Sequence, residues 1–151
     1  MAGILEQAIS NHSIILYCQL VLSLSDKTVV AHEVLVRFIN GDDLLAASVV
    51  TPIAERLGLM PQIDRLILES LASTNREKIF SGRLCVNLSM LSIQENGFVK
   101  WLDSFLTPQR ELTSNIVVFF VSWIRILTIS PISNRLFSLP NLVLMQLKVI
   151  F

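Results

Sequence analysis

No aspartate or glutamate follows Glu111, although forty residues remain before the chain ends at Phe151. All twelve acids and nine of the twelve basic residues lie in residues 1–111, so that segment is formally −3, while residues 112–151, with Arg125, Arg135 and Lys148, are +3. Carboxylate chemistry must therefore come from the first 111 residues. Cysteine is equally scarce. Cys18 and Cys85 stand far apart with no Cys-x-x-Cys spacing, which excludes a metal knuckle or dithiol motif and leaves two buried thiols in a reducing compartment. The two histidines, His12 and His32, belong to no cluster of potential ligands, so neither recommends itself as a metal ligand or general base.

A net charge of zero gives no concentrated positive field, which argues against a nucleic-acid polymer as partner. The N-terminus lacks the basic region and apolar run of a secretory signal, so a cytoplasmic location is expected. The apolar stretch Ile116 to Ile129 is only fourteen residues long and contains Arg125. Crossing a bilayer takes roughly 20 residues, so it reads as a buried strand or unprotected apolar segment, and a membrane partner is not expected. Apolar residues are what the chain has in plenty: 52% of the total, with a mean hydropathy of +0.62. A chain of 151 residues suffices for one domain that buries roughly 70% of its unfolded surface.

Residues 14–24 and 28–38 are rich in strand formers and are joined by Ser25-Asp26-Lys27, which predicts a hairpin-like pair apolar on both faces. Asn40-Gly41-Asp42-Asp43 is a turn. Leu44 to Leu57 reads as a helix stopped by Gly58, with Pro52 either kinking it or marking a start near Thr51. Met60-Pro61 opens a second helix whose stripe is Ile63, Leu66, Ile67 and Leu71, with Asp64, Arg65 and Glu69 assigned mostly to the opposite side. Arg83 to Leu88 reads as a buried strand, and Gln94 to Phe105 as a third helix. Beyond Asn115 the pattern loses regularity, although Ile116 to Val121 has strand character. The order β-β-α-α-β-α predicts an α/β sheet or barrel.

Four segments carry a resemblance: Tyr17-Cys18-Gln19, then His32-Glu33-Val34-Leu35-Val36-Arg37-Phe38, then Pro52-Ile53-Ala54-Glu55 with Gly58-Leu59, then Val86-Asn87-Leu88-Ser89. In this order and spacing, over about residues 13–111, they resemble the N-terminal half of an EAL domain, a family that hydrolyses or binds cyclic di-GMP. The resemblance implies a partial EAL-type (β/α) barrel with an antiparallel first strand and an incomplete C-terminal half. It implies Mg²⁺ or Mn²⁺ held by Glu33 and Asn87, and cyclic di-GMP contacted by Gln19, Leu35 and Arg37. Val34 stands where the family has alanine, and Leu20 where it usually has proline. Hard oxygen donors suit such cations, and the Arg37 fork suits phosphate oxygens. Without the resemblance, Glu33 and Arg37 read as an ion pair on one strand face and Asn87 as a strand-end residue. Glu55 reads as a structural or surface acid, and Ser89 as a cap for the following helix.

The family pattern continues with a strand bearing Glu-x-x-Glu, then paired aspartates, a lysine, a late glutamate and a glutamine. The first would fall near Ile116 to Val121, which holds no acid, and a full barrel takes about 250 residues. The expected division is therefore a family-like segment, residues 1–111, and a divergent apolar tail, residues 112–151, with the character of a changed reading frame or of a different, fused terminal segment. The expected product is a truncated cyclic di-GMP signalling domain without hydrolytic activity and with no catalytic residues. The alternative is a degenerate receptor or interaction module. An exposed sheet edge would then favour a homo-oligomer or a protein partner.

Overall fold

Period-two alternation organises the centre of the molecule. In the computed structural model, which describes residues 2–74, 83–109 and 115–121, Val29–Asn40 forms strand β2. Its residues His32, Val34, Val36 and Phe38 are buried, while Glu33, Leu35 and Arg37 on the other face are only partly covered. Ile14–Leu22 forms β1 and pairs antiparallel with β2, Tyr17 opposite Leu35 and Gln19 opposite Glu33. Arg83–Ser89 forms β4 and Ile116–Val121 forms β5; β4 runs parallel to β2, and β5 parallel to β4. The sheet order is β1-β2-β4-β5, with a short β3, Asp43–Ala46, paired to the end of β2. The expected burial on both faces is thus met fully on one face only; the side chains of the other are partly covered.

Helices pack on the buried face. α2 covers Ala47–Arg56 and α3 covers Met60–Ser73, later than the expected start at Leu44, because Asp43–Ala46 pairs with Arg37–Asn40 instead. Pro52 lies inside α2 rather than at its start. That helix closes where Gly58 takes φ 67°: the Gly58 amide bonds Glu55 O at 3.1 Å and the Leu59 amide bonds Ala54 O at 2.9 Å. A left-handed residue is needed there, and glycine adopts it without a Cβ clash. Glycine also delays the third helix, expected from Gln94, to Phe98, and a short helix that was not expected precedes it. Gly97, at φ 91°, separates α4, Met90–Gln94, from α5, Phe98–Leu106.

The N-terminal helix α1, Ala2–Asn11, was not foreseen; it carries no side-chain cap signal, yet Leu5 and Ala8 are buried against the sheet-and-helix core. That core joins Val34, Val36, Phe38, Val86 and Leu88 of the strands to Val50, Ile63, Leu68, Leu71 and Phe98 of the helices. Each such side chain contributes about 1.5–3 kcal/mol through burial. Phe98 also tilts against Trp101 at 5.5 Å, and Trp101 stacks on Phe105 at 5.0 Å. Ile116 and Val118 of β5 pack on the same core, which leaves Val117 and Phe119 on the open face.

Candidate functional site

Strand alternation fixes which side chains share the open face. Glu33 on β2 and Asn87 on β4 meet there, with the Asn87 amide donating to Glu33 Oε1 at 2.7 Å. The two residues are not register partners, since Glu33 lies beside Cys85 and Val34 beside Val86; the contact is diagonal. Gln19 and Leu35 join them in lining a cavity of about 250 Å³, completed from the helical side by residues such as Val50, Met60 and Asp64. Four of the five residues singled out from the sequence thus share one cavity.

Arg37 does not line it. Its guanidinium donates to Val36 O at 3.0 Å and lies 5.5 Å from the Tyr17 ring. The ion pair that Glu33 and Arg37 would form as plain strand neighbours is absent among the described residues. Glu55 is half-buried on α2, and Ser89 caps α4 by accepting the Leu91 amide at 3.2 Å.

Sequence reasoning missed Asp64. Assigned to the polar side of its helix, it is instead 1% exposed. Its Oδ2 accepts the Ser89 amide at 2.7 Å and the Ser92 hydroxyl at 2.5 Å, tying α3 to the junction of β4 and α4. Burial pushes its carboxyl up to about 6, with the bonds from Ser92 and Ser89 pulling the other way. The signal was in the spacing: Asp64, Leu68 and Leu71 recur at offsets of four and seven, a second edge of the same stripe. Arg65, by contrast, bridges helices. It reaches Glu95 at 2.6 Å and lies 5.2 Å from the Phe98 ring and 5.3 Å from the Trp101 ring.

Neither thiol is activated. Burial raises Cys18 to about 11, and burial together with the Glu33 carboxylate raises Cys85 despite Arg83. They also lie on different strands, Cys18 beside Val34 and Cys85 beside Glu33, with β2 between them. His32 is buried, and burial lowers its pKa.

The comparisons with known proteins bear on the family and the fold. The EAL domain family model matches residues 2–122. The chain belongs to the EAL domain family. No curated protein matches it. Among solved structures it is similar to the FimX EAL domain from Pseudomonas aeruginosa bound to c-di-GMP, at 29% identity and a TM-score of 0.63, covering 78% of this chain and 48% of that one. It is similar in fold to the Vibrio cholerae LapD S helix-GGDEF-EAL protein, at 19% identity and a TM-score of 0.70, covering 78% of this chain and 29% of that one. A third similar structure is the PaMucR phosphodiesterase in its c-di-GMP complex, at 23% identity and a TM-score of 0.65, covering 78% and 49%. This chain therefore spans less than half the length of each. The fold is a partial EAL-type barrel, and its antiparallel first strand is β1.

EAL domains generally depend on divalent metal. Mg²⁺ requires near-octahedral oxygen coordination. Among the described residues no three His, Cys, Asp or Glu side chains converge, and the open face offers one carboxylate whose oxygen already accepts the neighbouring amide. In the register of β5, the position directly beside Asn87 is Phe119, which brings no oxygen. These residues do not fit a two-cation centre. No helix of the described residues is long and apolar enough to cross a membrane.

Proposed function

We propose that this chain is a partial cyclic di-GMP signalling module of the EAL type that does not hydrolyse the dinucleotide on its own. One observation carries the reading: the Glu33 carboxylate and Asn87 amide satisfy each other at 2.7 Å, with Phe119 beside Asn87 where a further acidic ligand would have to stand. A phosphodiesterase centre must lower the pKa of a water and neutralise phosphoryl charge, which in this chemistry takes cations held by several anionic ligands. One carboxylate and one amide hold Mg²⁺ or Mn²⁺ weakly. No side chain of the chain is assigned as catalytic. The division falls between residues 1–111, which carry the acids, and the divergent segment 112–151.

A second reading, a receptor without hydrolysis, is favoured by Gln19 and Leu35 lining the cavity beside Glu33. In it, Gln19 and Leu35 contact the nucleotide and Arg37 swings from the Tyr17 ring to a phosphate. In either reading, the sheet edges, which pair with no further strand among the described residues, offer a place for a second copy or another protein. The chain's two free thiols favour a reducing compartment such as the cytoplasm.

Hydrolysis of cyclic di-GMP, assayed with Mg²⁺ and with Mn²⁺ beside a Glu33→Ala control, tests the first reading. Metal-dependent turnover that vanishes in Glu33→Ala would refute it. Calorimetry separates the two readings: heat of binding without turnover favours the receptor, and no heat at high protein concentration removes it.

A further inference from the structure

Among the described residues the sheet ends on two edges that pair with no further strand, and both have unusual composition. β1, Ile-Ile-Leu-Tyr-Cys-Gln-Leu-Val-Leu, and β5, Ile-Val-Val-Phe-Phe-Val, contain no charged residue, no proline and no glycine. Proteins ordinarily blunt edge strands with lysine, proline or bulges, because an edge strand presents unpaired backbone groups to any other strand. β1 departs from regularity only at Val21/Leu22, near its end. The open face between the edges adds Tyr17, Leu35, Val117 and Phe119, which stand only partly covered.

We propose that two copies of this chain associate edge to edge, β5 of each against β1 of the other, closing one barrel. The strand path β1-β2-β4-β5 supplies four strands, so two copies supply eight. Eight is the number whose closed interior is just filled by side chains. Directions agree as well. β4 and β5 run with β2 while β1 runs against it, so a two-fold axis along the barrel sets β5 antiparallel to the partner's β1. The six residues of β5 fit within the nine of β1. Closure pairs both edges and encloses the open face of each copy in the same step. Two-fold assembly is also the commonest route by which like chains associate. Arg37 lies near the C-terminal end of β2, toward the mouth of such a barrel, where its charge stays hydrated. The proposal is independent of nucleotide binding and stands or falls without it.

The test uses the full chain. Analytical ultracentrifugation should give a dimer, and hydrogen exchange should show amides of both β1 and β5 gaining protection as protein concentration rises. Inward-pointing charges should break the closure. Phe119→Lys and Tyr17→Lys, at opposite edges, should each raise the dimer Kd at least tenfold, whereas Val99→Lys, on an α5 side chain 55% exposed, should leave it unchanged. Circular dichroism confirms that the variants fold; should either fail, the other and the exchange data on the unaltered chain still decide. Four results overturn the proposal. They are a monomer at all concentrations, protection of β5 independent of concentration, a dimer protected on β5 alone, and a dimer indifferent to both lysines.

Discussion

Asp64 makes stability depend on pH in a direction opposite to that of most acids. It is 1% exposed, and burial raises its carboxyl from 3.8 to about 6. Above that value it is ionised in folded and unfolded chain alike, and the fold carries the full desolvation penalty. As pH falls from 6 towards 3.8, the folded chain takes up a proton that the unfolded chain does not, so the penalty is relieved. At about 1.4 kcal/mol per pH unit the whole effect is about 3 kcal/mol. Asp64→Asn removes the charge yet leaves a carbonyl oxygen to accept the two bonds that now converge on Oδ2. Urea unfolding followed across pH should therefore show the variant more stable than the parent near neutrality, by up to about 3 kcal/mol less the cost of its own buried amide donors. That advantage should shrink as the medium approaches pH 4. His32 has the opposite sign, since burial lowers its pKa and acidification costs it stability, but it is common to both proteins and cancels in the difference. A difference that stays constant with pH would refute the assignment of the penalty to Asp64.

Three further outcomes are expected. Phe119→Glu adds an anionic oxygen beside Asn87, and calorimetry should show Mn²⁺ affinity rising at least tenfold; no change would mean that the register of β5 does not bring position 119 to Glu33 and Asn87. Arg65→Ala removes both the Glu95 bridge and the contacts with Phe98 and Trp101, costing about 1–2 kcal/mol in urea unfolding with a shift in Trp101 emission, whereas Arg65→Lys restores only part. Leu68→Ala, at a position with no exposed surface, should cost about 3–5 kcal/mol, and a loss below 1 would contradict the packing of α3 on the sheet.

Much of the fold was legible because strands and helices on the buried face obey simple periods. The hairpin-like β1 and β2, the stripe of α3, and β4 all stand where the sequence placed them. What failed was what periodicity does not encode. β3 exists because Asp43–Ala46 finds partners on β2, a tertiary pairing that outweighs the helical character of the segment. α1 exists because Leu5 and Ala8 find a core, and its sequence signals neither start nor stop. The start of α5 at Phe98 is set by Gly97, a signal that lies inside the stretch with helical character from Gln94. For the site, motif order gave Gln19, Glu33, Leu35 and Asn87 one cavity, but it could not say that Arg37 would turn to Tyr17.

The two faces of the sheet explain why the family fold and the oxygen ligands on its open face are independent of one another. Side chains facing the helices, such as Val34, Val86 and Leu88, form the core whether or not a site stands behind them. β5 joins that core through Ile116 and Val118, so apolar residues at these positions suffice for packing on the helical side. The alternate positions, Val117 and Phe119, fall on the open face beside Cys85 and Asn87, where only chemistry distinguishes phenylalanine from glutamate. A strand can therefore satisfy packing on one face whatever its capacity for coordination on the other. Family membership, carried largely by core and strand positions, accordingly does not by itself imply turnover. The residues that decide the question are the few that alternate away from the core.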